Sequence, residues 1–81
     1  MSAPIDTILV VEDDLQMRRF LRTTLAGNDF RVLEAGTLAE GEQRAVQEVP
    51  SLVLLDLGLP DGDGTELVKK LRGWSSVPIV V

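Results

Sequence analysis

Oxygen acids supply the only strong chemistry in this chain. Thirteen aspartate and glutamate residues stand against eight lysines and arginines, and neither cysteine nor histidine occurs among the 81 residues. Thiol nucleophiles, disulfides, Cys/His zinc sites and any step that needs an imidazole of this chain are therefore excluded. Two groups of acids are placed where they could act. The apolar run Ile8-Leu9-Val10-Val11 ends in Glu12-Asp13-Asp14, and the run Leu52-Val53-Leu54-Leu55 ends in Asp56. If the two runs are neighbouring parallel strands, their carboxyl ends share one edge, and Glu12, Asp13 and Asp56 crowd into one pocket. Three like charges there repel unless a cation sits between them. An all-oxygen set favours Mg2+, which keeps several waters and accepts one or two carboxylates plus a substrate phosphate. A carboxylate beside such an ion is suited to attack phosphorus and become an aspartyl phosphate. A single strand-end acid is usually a helix cap or a solvated loop residue, and Asp14 reads that way. Acids at two strand ends together exceed what capping needs.

The elements that must position these acids are legible in the apolar pattern. Besides the two runs above, Val77 to Val81 is apolar without alternation, as strands buried on both faces are. Arg31-Val32-Leu33-Glu34-Ala35 mixes charge with apolar residues and suits an edge strand. Three helical patterns lie between. The first places Met17, Phe20, Leu21, Thr24 and Leu25 inward and Arg18, Arg19 and Arg22 outward, with Asp14 and Gly27 as its caps. The second opens with the capping box Thr37-Leu38-Ala39-Glu40 and turns Leu38, Gly41, Ala45 and Val49 inward until Pro50 stops it. The third opens with Asp63-Gly64-Thr65-Glu66, buries Leu67, Val68 and Leu71, and closes at Gly73. The order β-α-β-α-β-α-β implies an α/β fold, a doubly wound open parallel sheet, with function at the carboxyl ends of the strands.

Here the sequence resembles a family. Ile8 to Asp14, followed by Leu52 to Asp56 and then Leu57-Gly58-Leu59-Pro60-Asp61-Gly62-Asp63-Gly64, looks like the receiver domain of bacterial two-component response regulators. The stretches Arg18 to Arg22, Leu57 to Gly64 and Leu71 to Ser75 are similar to the potassium-responsive Kdp regulators of the winged-helix (OmpR-like) subfamily. The resemblance covers nearly the whole chain. It implies a flavodoxin-like receiver fold, with residues 1–6 as a tail and residues 1–81 as its N-terminal part. It makes Asp56 the phosphoacceptor. Asp13, Asp56 and the backbone carbonyl of Gly58 become Mg2+ ligands, and Glu12 the second member of the acidic pair, reaching the ion through water. A sensor histidine kinase is the implied partner, and the chemistry is stoichiometric signalling rather than enzymatic turnover. The same resemblance places a fifth strand, two more helices, a Ser or Thr about two residues past Val81 and a Lys outside this sequence. DNA is then met only through a further C-terminal domain.

Composition sets the outer limits. With 44% hydrophobic and 26% charged residues, the chain can bury one modest core. A formal net charge of -5 repels a nucleic-acid backbone. No apolar run approaches the roughly 20 residues of a membrane span, and no basic leader is visible, so the expected compartment is the cytoplasm, with no membrane partner. Arg18, Arg19 and Arg22 form a basic face, either solvated or facing a kinase. Trp74 reads as a cover for the sheet edge and Met17 as core. The unpaired final strand suggests that the 81 residues alone are a poorly stable monomer, a homodimer or a strand-exchanged oligomer. Two other readings compete with the phosphoacceptor. One is a receiver-fold interaction module without phosphotransfer. The other is a haloacid-dehalogenase-like phosphotransferase using Asp61 and Asp63 of the D-x-D-G-T string, although Pro60 separates that string from any strand.

Overall fold

The structure, a computed structural model, describes residues 6–56 and 58–81. Its elements run β1 (Thr7–Val11), α1 (Leu15–Ala26), β2 (Arg31–Ala35), α2 (Leu38–Glu48), β3 (Leu52–Leu55), β4 (Gly58–Leu59), β5 (Gly62–Asp63), α3 (Gly64–Arg72) and β6 (Ile79–Val80). Four strands form one parallel sheet in the order β2-β1-β3-β6. The expected alternation is present, and β1 and β3 are neighbours. β2 lies at an edge, where a charged strand belongs. Of the tail expected over residues 1–6 only Asp6 is described; its carbonyl accepts the Arg31 N–H at 3.0 Å just before β1 begins. The rest of that tail lies outside the described residues.

Sheet residues alternate between two differently covered faces. On one face, Leu9, Val11, Leu33, Ala35, Val53 and Leu55 pack with Ala45 of α2, Leu67 and Leu71 of α3, and Leu59, all buried. Gly41 lets α2 lie close to the sheet, since a Cβ there would stand 3.0 Å from the Val11 side chain. On the other face Ile8 and Val10 are buried, and α1 packs on that side with Leu21 and Leu25 partly buried.

Helix α1 departs from expectation. None of its residues is buried. Met17, expected in the core, is 48% exposed and Phe20 is 64% exposed. The helix is rotated so that Arg18, Leu21 and Leu25 face inward, and Met17 and Phe20 fall on its flank. Val49 is likewise exposed rather than inward, because it leaves the helix with φ 47 as the C-cap of α2. Trp74 keeps half its surface in solvent instead of covering the sheet edge. A feature with no counterpart in the sequence reading is the antiparallel pair of two-residue strands, Gly58↔Asp63 and Leu59↔Gly62. Gly62 supports it with φ +148, a conformation open to glycine and few other residues. Among the described residues no helix is long and apolar enough to cross a membrane.

Candidate functional site

The site forms where two ladders stop. Register pairs Val11 with both Ala35 and Leu55, so the next residue on β1 is Glu12 and the next on β3 is Asp56. Both backbones stay attached to the sheet. The Glu12 N–H donates to the Ala35 carbonyl at 2.9 Å, and the Asp56 N–H donates to the Val11 carbonyl at 3.0 Å. From these anchors Glu12, Asp13 and Asp56 each bring a carboxylate oxygen to within 4.8 Å of the others. Glu12 and Asp56 are partly buried and Asp13 is exposed. The three acids read from the strand ends therefore meet as expected.

Local hydrogen bonds orient the cluster. The Asp14 N–H donates to Glu12 Oε1 at 3.1 Å, while Asp14 itself caps α1 by accepting from the Gln16 and Met17 N–H groups. The Gly58 N–H donates to Asp56 Oδ1 at 3.1 Å. Desolvation raises the Glu12 pKa above the ordinary glutamate range, and repulsion from Asp56 and Asp13 adds to the rise, against a lowering contribution from the Asp14 N–H. An uncompensated negative charge is what a divalent cation relieves. Octahedral Mg2+ spaces its ligand oxygens at about 3 to 4.2 Å, a spacing comparable with the 4.8 Å within which these carboxylate oxygens lie.

Asp61 and Asp63 do not belong to this site. The Asp61 carboxylate accepts from the Leu38 N–H at 2.8 Å and the Ala39 N–H at 3.1 Å, which lowers its pKa. It thus caps α2 beside the expected Thr37 cap, which accepts from the Glu40 N–H at 3.1 Å. Asp63 caps α3 through the Thr65 N–H at 3.0 Å, which lowers its pKa as well. Both acids are helix caps on the hairpin, their carboxylates taken up by N–H groups of α2 and α3, and the haloacid-dehalogenase-like reading is set aside on that geometry.

On the basic face of α1, Arg19 and Arg22 are exposed as a solvated face requires, whereas Arg18 turns inward. Arg18 and Arg22 both pair with Glu34 of β2, at 3.3 and 3.5 Å. Arg18 further donates to the Glu12 carbonyl at 3.0 Å. Sequence reasoning missed this second contact. The one available signal was Glu34, an acid inside a strand and level with Val10 in the register.

Comparison with known proteins agrees with this geometry. The response regulator receiver domain family matches residues 8–81. The KDP operon transcriptional regulatory protein KdpE of Escherichia coli (strain K12) is 54% identical over 74 residues, covering 91% of this chain and 33% of KdpE. The chain thus spans about a third of the length of that relative. Among solved structures, the non-phosphorylated HemR receiver domain from Leptospira biflexa superposes with a TM-score of 0.84 at 35% identity, over 91% of this chain and 60% of that one. The chemotaxis response regulator CheY4 of Vibrio cholerae gives 0.89 at 25% identity, over 94% and 66%. With the parallel sheet, the helix order and the acidic strand ends all in place, this chain belongs to the response regulator receiver domain family.

Proposed function

We propose that Asp56 is the phosphoacceptor of this receiver domain and that Asp13, Asp56 and the Gly58 carbonyl hold Mg2+, with Glu12 reaching the ion through water. The observation that carries the reading is the convergence of carboxylates from adjacent parallel strands within 4.8 Å. The donor is a phosphohistidine on a sensor histidine kinase, as membership of the receiver family supports and as a chain without histidine permits. An Asp56 carboxylate oxygen forms a bond to phosphorus as the donor's phosphorus–nitrogen bond breaks, and the departing imidazole keeps the electron pair and takes up a proton. The Gly58 N–H steadies one Asp56 oxygen, and the other is the attacking atom. Bound Mg2+ supplies charge neutralisation on the transferring phosphoryl oxygens. One phosphoryl group is accepted per domain, so the chain acts as a signalling module rather than as a turnover enzyme.

In the whole protein, which works in the cytoplasm, residues 1–81 form part of the receiver and a separate DNA-binding domain delivers the transcriptional output. The test is phosphotransfer to the full-length protein, from the kinase and from a small phosphodonor. Asp56→Asn should abolish labelling, and a chelator should suppress it in the unsubstituted protein. Unchanged labelling of the Asn variant, or transfer that ignores the metal, would overturn the reading.

A further inference from the structure

The carboxylates are held by a backbone that is itself held from α1. Arg18 is a charged residue in an inward position, its side chain only 22% exposed. Its Nη1 donates to the Glu12 carbonyl at 3.0 Å and its Nε to Glu34 Oε1 at 3.3 Å. Arg22 takes the other oxygen of Glu34 at 3.5 Å. The Glu12 backbone is therefore held on both sides, by its N–H on Ala35 and by its carbonyl on the guanidinium. That carbonyl belongs to the peptide bond joining Glu12 to Asp13, so its orientation sets where the Asp13 side chain leaves the chain. Gly36 leaves room for the arrangement. A Cβ there would stand 2.9 Å from Arg18 Nη1, closer than non-bonded atoms approach.

From this geometry we infer that Arg18, braced by Glu34 and admitted by Gly36, is a positioning residue that fixes the Glu12–Asp13 peptide for cation binding at the acidic cluster. The inference rests on the reading of that cluster as a Mg2+ site. Its sign separates positioning from simple charge. Deleting a cation near an acidic cluster strengthens attraction for Mg2+ through space, whereas losing the peptide's orientation weakens binding, as loss of outer-shell partners does.

The experiment is Mg2+ titration of the full-length protein by calorimetry, with thermal melts to establish folding. Arg18→Gln should weaken affinity about tenfold, the lower end for outer-shell partners, and Gly36→Ala, which crowds only the flexible end of Arg18, should weaken it in the same direction by less. The second variant displaces the guanidinium without changing any charge. Arg22→Gln, which removes equal charge from the same ion-pair network but leaves the Glu12 carbonyl bonded, should stay within about twofold of the unsubstituted protein, as exposed ion pairs contribute little. Affinity that is unchanged or tighter in folded Arg18→Gln and Gly36→Ala proteins would overturn the inference. Asp56→Asn separates the two levels of argument. If it leaves Mg2+ binding intact, the site itself has been misplaced; if it abolishes binding while the Arg18 and Gly36 variants bind normally, only the positioning role falls.

Discussion

Glu12 concentrates the electrostatic cost of the cluster in one side chain. Desolvation and two neighbouring carboxylates raise its pKa, so the folded chain holds the Glu12 proton to a higher pH than the unfolded chain does. Between the two values the native state binds more protons, and stability falls as pH rises from the ordinary glutamate value of about 4.3 through the folded one. Glu12→Gln should remove that slope. At neutral pH without divalent cation it should stabilise the domain by only about 0.2 to 1 kcal/mol, because solvent screens a group this open. Chemical denaturation at several pH values checks the sign. A variant less stable than the parent at pH 7 would contradict the repulsion argument, and added Mg2+ should shrink the difference between the two proteins.

Helix ends were the most readable elements and also hold the surprises. Asp14, Thr37 and Asp63 cap as their spacing predicts, because a cap and its N–H groups are separated by two or three residues. Asp61 caps α2 across 23 positions, and no local pattern announces that. The strand-end acids were legible since each apolar run stops at them, and so was the core under α2 and α3. The rotation of α1 was not. Met17, Phe20, Leu21, Thr24 and Leu25 span too wide an arc to single out one inward line, and an arginine with two specific acceptors displaced the apolar choice. The hairpin escaped notice because strands of two residues carry no period.

Val49 is β-branched, precedes Pro50 and adopts the left-handed region at φ 47, a costly combination. Val49→Gly should raise stability by about 1 kcal/mol, net of the added unfolded-state entropy, as read from denaturant midpoints. Asp61→Ala strips the acceptor from two α2 N–H groups and should lower the melting temperature while Asp56 is still phosphorylated. Since the Asp61 pKa is lowered in the folded state, its contribution is present above the ordinary aspartate value and fades as pH falls through the folded one. Loss of labelling in a folded Asp61→Ala protein would tie that residue to the chemistry after all.

The molecule as a whole is thin, with principal extents of 40 × 30 × 18 Å. Over α1 the cover is partial. Leu52 and Leu54 are only partly buried, and Val80 and Phe20 are 52% and 64% exposed. At the β6 edge, residues 75–81 include no charge, whereas the β2 edge carries Arg31 and Glu34. Apolar surface beside an unguarded strand favours association. The 81-residue polypeptide should therefore show a mass that climbs with concentration in light scattering, and Phe20→Glu should reduce it. A monomeric mass at every concentration would contradict this.

The ladder bonds at Glu12 and Asp56 carry one more consequence. Each amide belongs to the last rung of the central strands, so freeing it requires parting β1 from β2 or from β3, with Leu9 and Val53 buried just behind. Both should exchange with deuterium on the timescale of global unfolding, although their carboxylates touch water. On the proposed reading, a phosphoryl group arriving at Asp56 meets a main chain held by the sheet. On that reading, any response to phosphorylation starts in side chains rather than in these two backbone amides.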